Sequence, residues 1–515
     1  VKIASSAIQL QLSRLTQTGL VLVCSIILAR SLGPAGLGAY ATLLAFAVLL
    51  QAFTSFGFED LTLARGPLYG GDARKARSLY RMVLRIRCTM VLLLLLMGTA
   101  AWVLRVPDPL PGGRHALAFA LAYSGLNSLA TLGGVIQAAR VQLGRSAALD
   151  ATWAVGVTLT YVVLLVGHRL TVETALLTQA AWQGAVDVGY VAILFPLTMR
   201  PKMPTDLPVA TGTPPRLHLA LPRPFGIRDS LNFWLNGFLS ITTGKTADLF
   251  AMNLASAKSA AVGRYNGAYN INLTASTVLL QGAGTMLYVN LGNVSRQSDD
   301  RLTGQAWRTT VTLGLLLSVP PLLYCVVIPG TLLSLMYGAA YTSGGAALAL
   351  LAGTGLLGRT LGGGANQALL FIMHRQGRVL SVRSLSVVLN VILDLVLYHP
   401  YGITGVAAAS GGCSLLIIVL EYVFANRIVR LRIPWGAAVR VIIPFLVSAF
   451  LCSQLVDEDS RKSVILAAVL GTSVLGSALL VLTRPLTASD FPASAPVHLK
   501  RVLMLAARPS SAETL

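Results

Sequence analysis

Three charged residues lie where charge is costly. Arg14, Lys245 and Asp248 sit inside apolar runs, and a charge at the centre of a bilayer costs roughly 2.5–3.5 kcal/mol even on the lenient insertion scale. Such a group either reaches the surface or meets a partner. Arg14 shares a helical face with Gln11, Thr18 and Ser25. It is read as a contact for a substrate phosphate or similar anion, with snorkelling as the other reading. Lys245 and Asp248 are three apart and can pair on one helix. They lie off that helix's polar face, so they read as a structural ion pair, with a coupling role as the alternative.

Polar residues, neutral apart from Asp229, accompany these charges in a regular pattern. Tyr40, Gln51, Thr54, Ser55 and Thr62 make one stripe. Asp229, Asn232, Asn236, Ser240 and Thr243 make another, and Asn266, Asn270, Thr277 and Gln281 a third. Amides and hydroxyls at these spacings hydrogen-bond either a hydrated solute or a neighbouring helix. With four such faces in equivalent positions, an aqueous cavity is the expectation. Its candidate lining is Arg14, Gln11, Thr18, Gln51, Asn232, Asn236, Asn266, Asn270 and Gln281.

Other chemistry is disfavoured. "GKT" at 244–246 lacks the earlier glycine of a phosphate-binding loop, since position 239 is Leu. "LGGGANQ" at 361–367 follows no strand and reads as close helix packing through small residues. The six histidines are scattered, and all five cysteines lie in apolar runs. No metal, cofactor or catalytic group is expected, and the chain does not read as an enzyme. Arg85 and Arg87 are expected to snorkel. Glu59, Asp150, Asp187 and Glu421 lie near helix ends as lesser protonation sites. Arg359 and Asp394 lie deeper, with no partner assigned.

The elements that position these residues follow from composition. The chain has 515 residues, 55% hydrophobic and 11% charged, with a mean hydropathy of +0.70. Soluble domains carry about 25% charged residues. Apolar runs near the length a bilayer needs recur about fourteen times. The expected spans are 8–31, 37–63, 80–104, 115–139, 146–167 and 172–197. Six more follow at 229–253, 262–290, 307–329, 346–373, 379–398 and 402–425, and a last pair at 436–455 and 462–483. The fold class is therefore all-α and polytopic. The expected layout is an N-lobe at 1–199, a cytoplasmic linker at 200–228, a C-lobe at 229–427, helices thirteen and fourteen within 428–484, and a tail at 485–515. The net charge of +21 is no sign of nucleic acid. Lys and Arg fall about fourfold more often in alternate loops, which marks the cytoplasmic side and places both termini there.

One pattern recurs. "GLGAYATL" at 36–43 compares with "AVGRYNGA" at 261–268, so Gly38 and Tyr40 match Gly263 and Tyr265, 225 positions later (263 − 38). An offset of six helices keeps the same orientation, which implies two lobes related by an axis along the membrane normal. Residues 32–38 are expected to form a tight outer turn, with Tyr40 at the membrane interface. Helices three, nine and fourteen look suited to lipid or plain packing.

"LARSLGPAGLGAYATLLAF", "DLFAMNLASAKSAAVGRYNGAYNI" and "LLSLMYGAAYTSGGAALALL" resemble, in order and spacing, the Wzx-type polysaccharide flippases of the multidrug/oligosaccharidyl-lipid/polysaccharide (MOP) exporter superfamily. The resemblance implies a two-lobed, fourteen-helix transporter. It would move a polyprenyl-diphosphate-linked oligosaccharide across a bacterial cytoplasmic membrane by alternating access. It implies no cofactor, and it suggests a polysaccharide polymerase and glycosyltransferases as protein partners. A cation-coupled drug or metabolite antiporter of the same fold, or a non-transporting scaffold of glycan assembly, are the alternatives.

Overall fold

The computed structural model describes residues 2–55, 73–104, 115–139, 143–199, 234–235, 237–239, 244–277, 291, 300–373, 375–456, 462–483, 486–487 and 507–508. The long apolar runs are helices. They are α1 (Lys2–Ser55), α2 (Ala73–Val103), α3 (Ala116–Ala139), α4 (Leu143–Val166), α5 (Val172–Met199), α6 (Lys245–Leu254) and α7 (Ser259–Thr277). There follow α8 (Asp300–Val327), α9 (Pro329–Tyr337), α10 (Gly345–Thr360), α11 (Ala365–Ile372), α12 (Gln376–Asn426), α13 (Trp435–Leu455) and α14 (Lys462–Thr483). A 3₁₀ turn, Ala339–Gly344, joins α9 to α10.

Expected spans one and two are the halves of α1, which break at one residue. Gly33 has φ 67 and ψ 179, a region essentially reserved for glycine. Pro34 follows as the first residue of the second half, where its fixed φ suits a helix start and its missing N–H costs nothing. The expected seven-residue turn is thus a single-residue break. Spans eleven and twelve divide in the same way inside α12, at Gly402.

Span ten was expected as one helix and is two. α10 ends at Thr360 and α11 starts at Ala365, with positive φ at Gly362 and Gly364 between them. The glycine run breaks the helix as well as packing it. A Cβ on Gly362 would lie 2.6 Å from the Trp307 ring.

By contacts the chain forms two compact units. The first holds 1–42, 165–170 and 243–515, and the second holds 43–164 and 171–242. In the first, Trp307, Leu315 and Val319 on α8 are fully buried and join Leu369 and Val441 in one core. Of the two readings for helix nine of the sequence, lipid or plain packing, the structure shows packing in the core. In the second, α3 and α4 each set a glycine against a ring of α5. A Cβ at Gly133 would lie 2.5 Å from Tyr190, and one at Gly156 would lie 2.4 Å from Trp182. Leu92, Leu96 and Met97 on α2 and Leu466, Leu470 and Val474 on α14 are exposed, which suits acyl chains. Arg87 does not snorkel: only 1% of it is exposed. Nor does Tyr40 sit at an interface, since it is buried, like Tyr265.

Candidate functional site

The repeat found in the sequence meets itself in space. A Cβ on Gly38 would lie 1.8 Å from the Ser259 carbonyl oxygen and 2.9 Å from the Gly263 nitrogen. One on Gly263 would lie 1.8 Å from the Pro34 oxygen and 2.9 Å from the Gly38 nitrogen. Pro34 and Ser259 are also 225 positions apart (259 − 34). The contact is therefore reciprocal residue by residue, as a local two-fold axis requires. Only residues without a side chain allow backbones this close.

Side chains tie down the same end of this unit. Arg30 donates from Nε to the Met336 oxygen at 2.9 Å and from Nη2 to the Leu335 oxygen at 2.6 Å. These are last-turn carbonyls of α9, where a cation is favoured. The Tyr341 hydroxyl donates to the Ala29 oxygen at 3.1 Å, and Asn253 donates to Thr42 Oγ1 at 3.1 Å.

Below that closure lies a polar chain. Helix seven of the sequence reading is interrupted at Gly244 (φ 87), and Lys245 begins the segment beyond it. Lys245 Nζ donates to Asn270 Oδ1 at 2.8 Å. Asn270 Nδ2 donates to Ser25 Oγ at 3.3 Å, and Ser25 is 3.0 Å from the Tyr337 hydroxyl. The expected Lys245–Asp248 ion pair is not formed. Each residue bonds other partners instead.

Asp248 belongs to a buried acidic centre. Asn390 Nδ2 donates to Asp248 Oδ1 at 2.8 Å and to Asp394 Oδ2 at 3.0 Å, so one amide bridges two carboxyl groups. The Tyr265 hydroxyl donates to Asp248 Oδ2, and Ser410 also bonds Asp248. None of these five side chains is more than 3% exposed. Asp394 Oδ1 and Asn390 Oδ1 have no hydrogen-bond partner. Two carboxylates this close in a low-dielectric interior repel strongly. The pair must share a proton or hold a cation, and its hard oxygen donors suit a small hard ion. Among the described residues, no three His, Cys, Asp or Glu side chains gather as a metal site. Asp394 had no partner in the sequence reading. Its spacing of four from Asn390, within the otherwise apolar run at 387–397, was the available signal.

In the other unit Gln51 is held by α3. Asn127 Nδ2 donates to Gln51 Oε1 at 2.7 Å, and Gln51 Nε2 donates to Thr131 Oγ1 at 2.9 Å. Of the remaining candidates, Asn266 is 2% exposed and its Oδ1 has no partner. Thr18 is half-buried on α1. Gln11 and Arg14 lie on the α1 backbone, but their side chains fall outside the described residues, as do Asn232, Asn236 and Gln281. Arg359, also without an assigned partner, donates to the Ser276 oxygen at 3.1 Å.

No known family profile and no curated protein matches the chain. Solved structures do. The lipid II flippase MurJ in an inward closed conformation matches with a TM-score of 0.67 and 13% identity, over 92% of this chain and 98% of that one. The chain has the fold of the MOP-superfamily transporters. An inward-facing multidrug resistance MATE family transporter of that superfamily matches at 0.62 and 13% identity, over 81% of this chain and 97% of that one. A MOP-superfamily transporter from Pyrococcus furiosus matches at 0.56 and 14% identity, over 82% and 95%. The all-α class and the polytopic membrane architecture accord with this fold.

Proposed function

We propose that this chain flips a polyprenyl-diphosphate-linked oligosaccharide across a bacterial cytoplasmic membrane by alternating access, in cell-surface polysaccharide biosynthesis. The observation that carries the reading is the extent of the likeness. The flippase match takes in 92% of the chain. The two drug and MOP transporters are themselves almost fully covered yet take in only 81% and 82%. The chemistry supports it. Ser25, Asn270 and Tyr337 in one unit, and Gln51, Asn127 and Thr131 in the other, are neutral hydrogen-bonding groups of the kind that bind sugar hydroxyls. Arg14 supplies a cation for the diphosphate.

A second reading, a cation-coupled drug or metabolite antiporter, is favoured by the Asp248–Asp394 centre. Under the flippase reading that centre takes the coupling ion. The test is leaflet-resolved translocation of a labelled lipid-linked oligosaccharide in vesicles, with drug efflux measured in parallel. The native chain should flip the lipid, and Arg14→Ala should lose most of that activity while inserting normally. Drug efflux without lipid flipping would select the antiporter.

A further inference from the structure

We propose that Lys245 is a second phosphate station, at a different depth from Arg14, to which the diphosphate passes during translocation. The inference rests on the flippase reading above.

The depths follow from helix rise. At 1.5 Å per residue, Arg14 lies about 28 Å along α1 from Gly33, close to the full thickness of the hydrocarbon core. Lys245 lies about 14 Å from the α6 end at Leu254. Ser25, reached from Lys245 through Asn270, is about 12 Å from Gly33. Asn253 bonds Thr42, and Gly263 packs on Gly38, so these distances are measured from one end of the unit. That is the outer end in the orientation given by the Lys and Arg distribution. Lys245 therefore sits in the outer half and Arg14 towards the inner face.

The charge of Lys245 is unbalanced. Its ammonium has three donors, and the acceptor it meets, Asn270 Oδ1, is neutral. The groups beyond, Ser25 and Tyr337, are neutral too. Its backbone faces the Tyr269 hydroxyl, which would lie 2.7 Å from a Cβ at Gly244. Asp248, the nearest acid in sequence, has its oxygens engaged by Tyr265 and Asn390. Lys245 as a whole residue is half-buried. A lysine held this way within a membrane segment has the chemistry of an anion contact. Nothing in its setting has the chemistry of a structural ion pair.

The test measures binding by the purified full chain. The probes are polyprenyl diphosphate, polyprenol as the uncharged control, and phosphatidylglycerol as a bilayer phosphate. Two variants probe the charge. Lys245→Gln removes it and can keep the bond to Asn270. Asn270→Asp leaves the lysine and gives it the carboxylate it lacks. The native chain should prefer the diphosphate over polyprenol by roughly 10- to 100-fold, the value of a charge-assisted hydrogen bond. Placed in an Arg14→Ala background, where the probe can bind only at the outer station, either variant should lose most of the remaining preference while binding polyprenol as before, and Lys245→Arg should retain it. In that background, a preference undiminished by both Lys245→Gln and Asn270→Asp would overturn the station and leave the flippase reading standing. Equal binding of phosphatidylglycerol would overturn it by making Lys245 a general lipid-phosphate contact. No preference in the native chain itself would overturn the flippase reading and the station together.

Discussion

Gly38→Ala tests the reciprocal glycine crossing. The added methyl would lie 1.8 Å from the Ser259 oxygen, against about 3.3 Å for a close C···O approach. The backbones must separate by about 1.5 Å, because neither obstacle is a movable side-chain tip. Overpacking of this kind costs about 1–3 kcal/mol, occasionally more. It acts only on the state in which the two helices cross. At about 3 kcal/mol, opening of this end becomes roughly 100-fold more populated. Hydrogen exchange reports such local opening directly. Peptides covering 34–42 and 259–268 should exchange roughly 100-fold faster in the variant, while those from α13 and α14 hold their native rates. By the local two-fold, Gly263→Ala should give the same pattern, and the double variant should add little, since one methyl already parts the backbones. Native exchange rates in Gly38→Ala would refute the crossing. Acceleration in Gly38→Ala but not in Gly263→Ala would refute its reciprocity.

Other expectations follow from single contacts. Asp394→Asn should insert and fold, yet lose the response of transport to an imposed proton or sodium gradient in vesicles; an unchanged response would remove the acidic centre from coupling. Asn366 is fully buried; it accepts from the Trp307 indole at 3.0 Å and donates to the Leu361 oxygen at 2.9 Å. Asn366→Ala leaves both groups unsatisfied and should cost about 2–4 kcal/mol, read as a lowered unfolding temperature in detergent. Gly33→Ala, at φ 67 and ψ 179, should cost about 1–3 kcal/mol in the same assay, whereas Gly314→Ala, with open space at its Cβ, should cost nothing measurable.

What the sequence makes legible, and what it does not, divides by distance along the chain. Helix positions depend on local hydropathy, so α4, α13 and α14 start within a few residues of the expected spans. The repeat is also legible, since Gly38 and Gly263 match as letters; their contact is not, because a repeat offset says which residues are equivalent and nothing about which ones touch. The same limit hides the acidic centre. Asp248 and Asp394 come from helices 146 positions apart (394 − 248), and helical spacing fixes a residue's face without naming the helix it faces. Spacing even misleads where it gives an answer. A lysine and an aspartate three apart can reach each other, but reach does not decide pairing when better-placed groups compete. Tyr265 and Asn390 satisfy Asp248, and Lys245 is left with an amide. The two outcomes are one event. An acid drawn into a buried centre leaves the lysine at the start of the same helical segment without its counter-charge. Separating the two charges thus leaves, on one short helical segment, an acid held among buried polar groups and a lysine bonded only to a neutral amide.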